Sequence, residues 1–542
     1  MLKNNQIHSR VLLFEENSSW KSFLDSEGIL WSLFDFYSDI YSFSILILSR
    51  KSYEKFKAVA QNVLARGGTV IVENGRGCIP SDSDCFSVSY PFHIASFSCL
   101  AGDRHPDSTI VSFNKIEKGT LVQLPFSLKD LWCDRRVDKR FIVVGEEKAP
   151  YIWETLPFVS KRNVRKVLVD VLWRALQAAG LPLVQKWYWP RGSKSFFCFR
   201  ADMDAGNEES MRSYLKAVRP WVPSLSLFVC GSAYRTNEKL LQNVADLGAE
   251  IGNHTYTHYV YSTAEQNRAN LQLTEQLLNR VGVTPKGFVG PASFWHSSMY
   301  QILQEEGYEY TSSFGVDHDN FPYFPPRKEG GTYNMLEIPF HCLGDRFPKF
   351  GLGMDSLAVK QFFDQLIEKK YQTSEPINIY GHPDMSGRMG DSPSLIEHIC
   401  CKALSFDNIT TGNMSDLASW WRKRHCAQAL IKYDVSTKML IAEDMQADPE
   451  VYWSIKIAEK GQYILSGEDL CKGISLDSLE HLPQMNLQSS AGIMVGEITD
   501  PPPSKWGLMQ YIKDGRRSFR RKSRKIKELK SACNKEGWRK DE

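Results

Sequence analysis

Between Ser195 and Pro383 the chain alternates short apolar runs with helical stretches, and most of the apolar runs end on a polar residue. Phe196 to Arg200 (FFCFR) reads as a strand that leads straight into Asp202-Met203-Asp204, and Leu225 to Cys230 (LSLFVC) reads as a second buried strand. Asn237 to Leu247 follows as a helix, with Asn237 as its N-cap and Gly248 as its stop. Glu250 to Gly252 is a short strand that delivers His254, and Ser262 with Glu265 reads as a capping box ahead of a helix through Arg280. Phe288, Tyr308 to Ser312 and Asn378 to Tyr380 mark further strand ends. Parallel strands joined by helices, each with a polar residue at its C-terminal end, fold into a barrel-like α/β domain with a site at that end.

Three groups of residues carry chemistry. Side chains two apart on a strand share a face, so Asp202 and Asp204 can point into one site. One of them can bind a metal while the other takes a proton from water. His254-Thr-Tyr-Thr-His258 sets two imidazoles four apart, able to chelate one ion from a helical turn or a tight loop. Neutral imidazole favours Zn, Co, Ni or Fe over Ca or Mg. An Asp with two His leaves coordination positions open for water, which is the pattern of a catalytic metal. Tyr380-Gly381-His382-Pro383 places a third His just past another predicted strand, where it suits a general acid.

Taken together, these pieces resemble the NodB-type polysaccharide deacetylases of the carbohydrate esterase family 4 superfamily, in its D-x-D branch. "FRADMDAG" resembles the first motif, and "NHTYTH" has the His-x-x-x-His spacing of the second. "GFVGPASFW" sits where the family has an R-P-P-Y-like motif, "DHDNFP" where it places a groove wall, and "IYGHP" resembles the last motif. The resemblance implies Asp202 as base, Asp204, His254 and His258 as ligands of a divalent metal (zinc first, with cobalt, nickel or iron also suited), and His382 as acid. It also implies substrate or oxyanion contacts at Ala292, Trp295, His318 and Arg200. Two departures stand out: Val289 replaces the Arg that normally fixes the base, and Ala292 replaces a Tyr. Either Arg200 takes over part of that Arg's work or the base is tuned differently. Ala292 still offers a backbone N–H to an oxyanion.

The flanks read differently. Residues 1–188 form an expected α/β domain. Arg10 to Glu15, Phe43 to Leu48, Gly68 to Glu73 and Thr120 to Phe126 are its strands, and Lys51 to Arg66 and Val164 to Ala179 its helices. Its order resembles the glutamine-amidotransferase-like domains attached to some carbohydrate enzymes, with no active residue matched. Residues 189–426 are the expected deacetylase-like domain, a deformed (β/α) barrel. Residues 427–500 read as a small all-β module, and 501–542 as a linker from Pro501-Pro502-Pro503 and a basic tail. From Lys513 onward the tail holds 13 Lys or Arg against 5 Asp or Glu, so the body of the chain is slightly acidic although the whole carries +3. The tail reads as disordered or loosely helical, available to an anionic membrane surface. No nucleic-acid reading motif accompanies its charge.

The N-terminus has no apolar leader and no apolar run is long enough to span a bilayer, so the sequence reads as cytoplasmic. The 12 cysteines include no C-x-x-C pair, which fits reduced thiols and signals no structural zinc site. The favoured reaction is metal-dependent removal of an N-acetyl group from an amino sugar of a cell-surface polysaccharide or its precursor. Rival readings are a deformylase or cyclic-amide hydrolase of the same superfamily, and a carbohydrate-binding scaffold with a decayed site.

Overall fold

In the computed structural model, seven parallel strands lie side by side in the order Leu336–Glu337, Tyr310–Thr311, Gly287–Phe288, Glu250–Asn253, Leu225–Val229, Ser195–Met203, Ile377–Gly381. An eighth, Ile409–Thr411, pairs with the start of Ser195–Met203. Because all run the same way, the residues after each strand gather at one end. Ser195–Met203 is buried along its whole length, as expected for a central parallel strand. Helices Glu208–Val218, Glu238–Asp246, Ala264–Arg280, Ser356–Gln372 and Pro393–Leu404 pack Met211, Tyr214, Leu240, Leu277, Phe363 and Ile396 against the sheet. The sheet is the deformed (β/α) barrel expected from the sequence.

The structure describes residues 6–14, 17–34, 43–74, 85–90, 109–134, 137–142, 152–157, 159, 161–293, 295–313, 321–327, 329–340, 344, 349, 354–385, 388–389, 392–479, 498–499 and 505–535. His318, His341, Phe294 and the Pro501–Pro503 linker lie outside them.

Local details follow the sequence closely. Asn237 precedes its helix and Gly248 ends it at φ 83°, although the Asn237 side chain makes no capping bond. The cap of the next helix is Thr263 rather than Ser262, its hydroxyl accepting from the Gln266 N–H. The helix starts one residue later than the S-x-x-E spacing suggests, because Thr263 is the last residue in extended geometry.

In the N-terminal part, Gln6–Leu13, Phe43–Ser49, Thr69–Glu73 and Gly119–Gln123 form a parallel sheet. The strands expected to make a separate module do not stand alone. Gln428–Asp434 pairs antiparallel with Gln6–Leu13, and Met439–Gln446 extends the same sheet. Tyr452–Ile457 pairs with Leu183–Lys186. The alternation of Ala429, Ile431 and Tyr433 gives one apolar face, and that face enters the same core as Trp20, Phe23, Ile45 and Leu168. An edge of the first sheet is thereby covered instead of left open. The basic tail is a helix, Lys505–Lys535, rather than a disordered end. Among the described residues no helix is long and apolar enough to cross a membrane.

Arg424 fastens the two halves. It is fully buried at the end of helix Met414–Cys426 and donates to the carbonyls of Ser26, Lys186 and Trp187 at 2.9, 3.1 and 2.8 Å. Its guanidinium lies 4.6 Å from the centre of the Trp421 ring. Gly28 makes room for it: a Cβ there would meet Arg424 Nη2 at 2.6 Å, and the residue sits at φ +73° as a helix C-cap. Arg424→Ala should leave three buried carbonyls without their donor and cost on the order of 3 kcal/mol or more. Urea denaturation of the full chain checks this; an unchanged midpoint would show that the junction does not depend on Arg424.

Candidate metal centre

The site forms where the strand ends meet. Asp204 follows Ser195–Met203, and His254 follows Glu250–Asn253. His254 Nε2 lies 3.1 Å from Asp204 Oδ1, and His258 Nε2 lies 3.2 Å from Asp204 Oδ2. One ligand atom from each of the three falls within 4.8 Å of the other two.

The loop that carries the histidines is bent hard. Thr255 and His258 take φ of 63° and 51°, left-handed values that cost a non-glycine residue about 1 kcal/mol or more each. Buried asparagines hold this shape. Asn253 Oδ1 accepts from the Thr255 N–H at 2.8 Å. Asn270 accepts from the Thr257 N–H at 2.9 Å and donates to the Tyr259 carbonyl at 2.8 Å. Asn267 does the same for Tyr261, accepting from its N–H at 2.7 Å and donating to its carbonyl at 3.0 Å. The sequence reading overlooked Asn267 and Asn270. Their signal was present: two asparagines three apart on the buried face of an amphipathic helix, where apolar residues belong.

Hydrogen bonding sets the imidazoles. His254 Nδ1 lies 2.8 Å from the Val289 carbonyl, which can only accept, so Nδ1 carries the proton and Nε2 faces Asp204. Val289, in the place of the expected Arg, thus acts through its backbone while its side chain is buried. Burial opposes ionisation of Asp204, yet the facing imidazoles of His254 and His258 hold its carboxyl well below the usual range. Despite these short distances, Asp204 Oδ1 and His258 Nε2 are buried without an aligned hydrogen bond. Two buried ligand atoms left unsatisfied in a carboxylate–imidazole–imidazole set fit a divalent transition metal.

Asp202 is held from behind. Arg200 grips both of its oxygens, Nε to Oδ1 at 2.8 Å and Nη2 to Oδ2 at 2.6 Å, and sends Nη1 to the Ser312 carbonyl at 2.7 Å. The guanidinium also lies 4.4 Å from the Phe340 ring centre. Burial raises the proton affinity of Asp202, but the Arg200 charge and then His254 reverse this and lower it overall. Arg200, expected among substrate or oxyanion contacts, is 2% exposed and turned into this pair. Of the two alternatives that Val289 leaves, its contact with both Asp202 oxygens fits the first.

His382 lies across the site, its Nε2 3.8 Å from Asp204 Oδ2. Arg388 Nη1 approaches His382 Nδ1 at 3.2 Å. Arginine only donates, so Nδ1 accepts and the neutral ring carries its proton on Nε2, facing the site. Two residues on, Asp384 is fully buried and accepts from the N–H groups of Asp204, Ala205 and Gly206 at 3.2, 2.8 and 2.8 Å and from Tyr234 Oη at 2.7 Å. Asp384 therefore fixes the turn that presents Asp204. It escaped the sequence reading because its partners lie some 180 residues away.

The expected substrate residues fare unevenly. Ala292 is exposed at φ 52° just past strand Gly287–Phe288, with its turn beside the Val289 carbonyl that orients His254. Trp295 is half-buried and packs on Tyr300 at 4.4 Å between ring centres, in a cluster with Phe288 and Met335, so packing engages the ring expected to stack on a sugar.

Residues 203–311 match the family model described as polysaccharide deacetylase. This region is a polysaccharide deacetylase domain. Among curated proteins, the uncharacterized Bacillus subtilis protein YlxY is 29% identical over 116 residues, which span 21% of this chain and 36% of YlxY. A solved structure described as a polysaccharide deacetylase from Mycobacterium smegmatis is 21% identical, covering 44% of this chain and 93% of its own, with a TM-score of 0.38. One from Pseudomonas aeruginosa PAO1 is 18% identical, covering 44% and 95%, with a TM-score of 0.39. The deacetylase domain should bind one divalent transition metal per chain, and Asp204→Ala should bind none. Metal analysis after dialysis against zinc or cobalt checks this; equal stoichiometry in the two proteins would exclude Asp204 as a ligand.

Proposed function

We propose that the chain hydrolyses the N-acetyl amide of an amino sugar in a polysaccharide or its precursor. The observation that carries this reading is the convergence of Asp204, His254 and His258 with ligand atoms left unsatisfied, in a domain of polysaccharide deacetylase type. These three residues would hold a divalent ion, zinc being favoured by the donor set, and such an ion supplies a water whose pKa falls from about 15.7 toward roughly 7.

The remaining steps belong to the protein. Asp202, kept ionised by Arg200, takes the proton of the attacking water. Because Arg200 holds both oxygens, the carboxylate cannot swing and meets the water in one orientation. The N–H of Ala292 would donate to the oxyanion. His382, whose Nε2–H faces Asp204, hydrogen-bonds the leaving amine, and the proton that Asp202 took from the water passes to that amine.

Asp202→Asn should retain metal and lose at least about a hundredfold in kcat, within the usual reach of a general base. Arg200→Met should also lose activity at unchanged metal content, because the base is no longer oriented. Acetate release from N-acetylated chito-oligosaccharides, measured beside metal stoichiometry, decides both. Wild-type activity in Asp202→Asn would remove the base assignment. Formate or a ring-opened amide as the only product across a substrate panel would replace the N-acetyl reading with the deformylase or cyclic-amide one.

A further inference from the structure

The basic C-terminal helix Lys505–Lys535 reaches the loop that carries His258. Leu529 and Ala532 are buried against Tyr256, Tyr261 and Leu273, with Ile526 and Tyr259 packed beside them. Tyr261 Oη donates to the Lys525 carbonyl at 2.8 Å. Tyr261 also shares a hydrogen bond with Thr257 Oγ1 at 2.8 Å, so the helix is tied to the residue just before His258.

Helical periodicity extends this docked face. Arg521, Lys525, Leu529 and Ala532 are spaced i, i+4, i+8 and i+11, and so lie along one side. Arg521 therefore stands one turn, about 6 Å, beyond the point where Tyr261 anchors the helix. It is exposed and makes no ion pair among the described residues. On the far side of the centre, Arg388 adjoins His382. The exposed Arg521 guanidinium, one turn from the Tyr261 anchor, offers a planar pair of donors to an incoming phosphate or carboxylate.

We infer that the C-terminal helix forms one wall of the substrate site and that Arg521 selects amino sugars bearing an anionic group, a phosphate or a carboxylate, close to the scissile amide. The inference rests on the amide-hydrolysis reading for the reaction and adds the substrate class.

The test compares the metal-loaded wild type with Arg521→Ala and Lys530→Ala. Lys530 is exposed on the opposite side of the same helix, so its loss changes net charge equally without touching the docked face. Three probes are used: N-acetylglucosamine 1-phosphate, N-acetylmuramic acid and neutral N-acetylglucosamine. In Arg521→Ala, KM should rise about tenfold for one or both anionic sugars, with kcat and the neutral sugar unchanged, and added salt should shrink the difference. Which anionic sugar responds separates phosphate from carboxylate recognition. Lys530→Ala should behave as wild type. Equal effects of Arg521→Ala on charged and neutral sugars, no effect at all, or the same loss in Lys530→Ala would each overturn the proposal. If the wild type releases acetate from none of the three, the amide reading fails separately. Calorimetric Kd values for the sugar phosphate then decide this one: a weaker Kd in Arg521→Ala alone supports it, and equal values or no binding by the wild type refute it.

Discussion

The buried pair of Arg200 and Asp202 governs the centre of the molecule. A carboxylate almost out of reach of water would ordinarily hold its proton. Arg200 reverses that by meeting both oxygens from two residues away on the same strand. Its own burial is tolerated because the Ser312 carbonyl and the Phe340 ring satisfy the rest of the guanidinium. The sheet must bring Ser195–Met203, Tyr310–Thr311 and the Phe340 segment together for this pair to exist, so the charge state of Asp202 depends on strand order.

A second constraint acts on the candidate metal ligands. The His254–His258 loop takes two left-handed residues in five, and free it would relax. Asn253, Asn267 and Asn270 replace the hydrogen bonds that the loop forgoes by leaving regular structure. Asp384 does the same for the turn after Asp204. Ligand atoms thus sit on backbone held by buried polar side chains, which leaves the unsatisfied pair Asp204 Oδ1 and His258 Nε2 facing each other's neighbourhood in advance of any ion. The C-terminal helix adds an outer layer through Tyr261.

The flanking segments show how chain order and spatial order part. Gln428–Asp434 follows the deacetylase domain in sequence yet completes the sheet that Gln6–Leu13 begins. Its alternation announces a half-buried strand, but alternation names no partner, and a strand without a neighbour in sequence looks like a module of its own. The amphipathic pattern of the tail suffers the same ambiguity: charge reads as solvated disorder until Leu529 and Ala532 find Tyr256 and Tyr261.

The strand–helix alternation and the barrel class were legible in the sequence alone, as was the choice of Asp202, Asp204, His254, His258 and His382 as candidates, because these follow from local periodicity and from residue spacing at strand ends. The roles carried by long-range contacts were decided by tertiary structure. Arg200 looked like a substrate contact and became the partner of Asp202. Val289 looked like a loss and supplies the carbonyl that fixes His254. Asn267, Asn270 and Asp384 carried no motif that spacing could expose, since their partners are loop amides brought close only by the folded sheet. Periodicity reports which face of an element is buried; only the packed chain reports what that face meets.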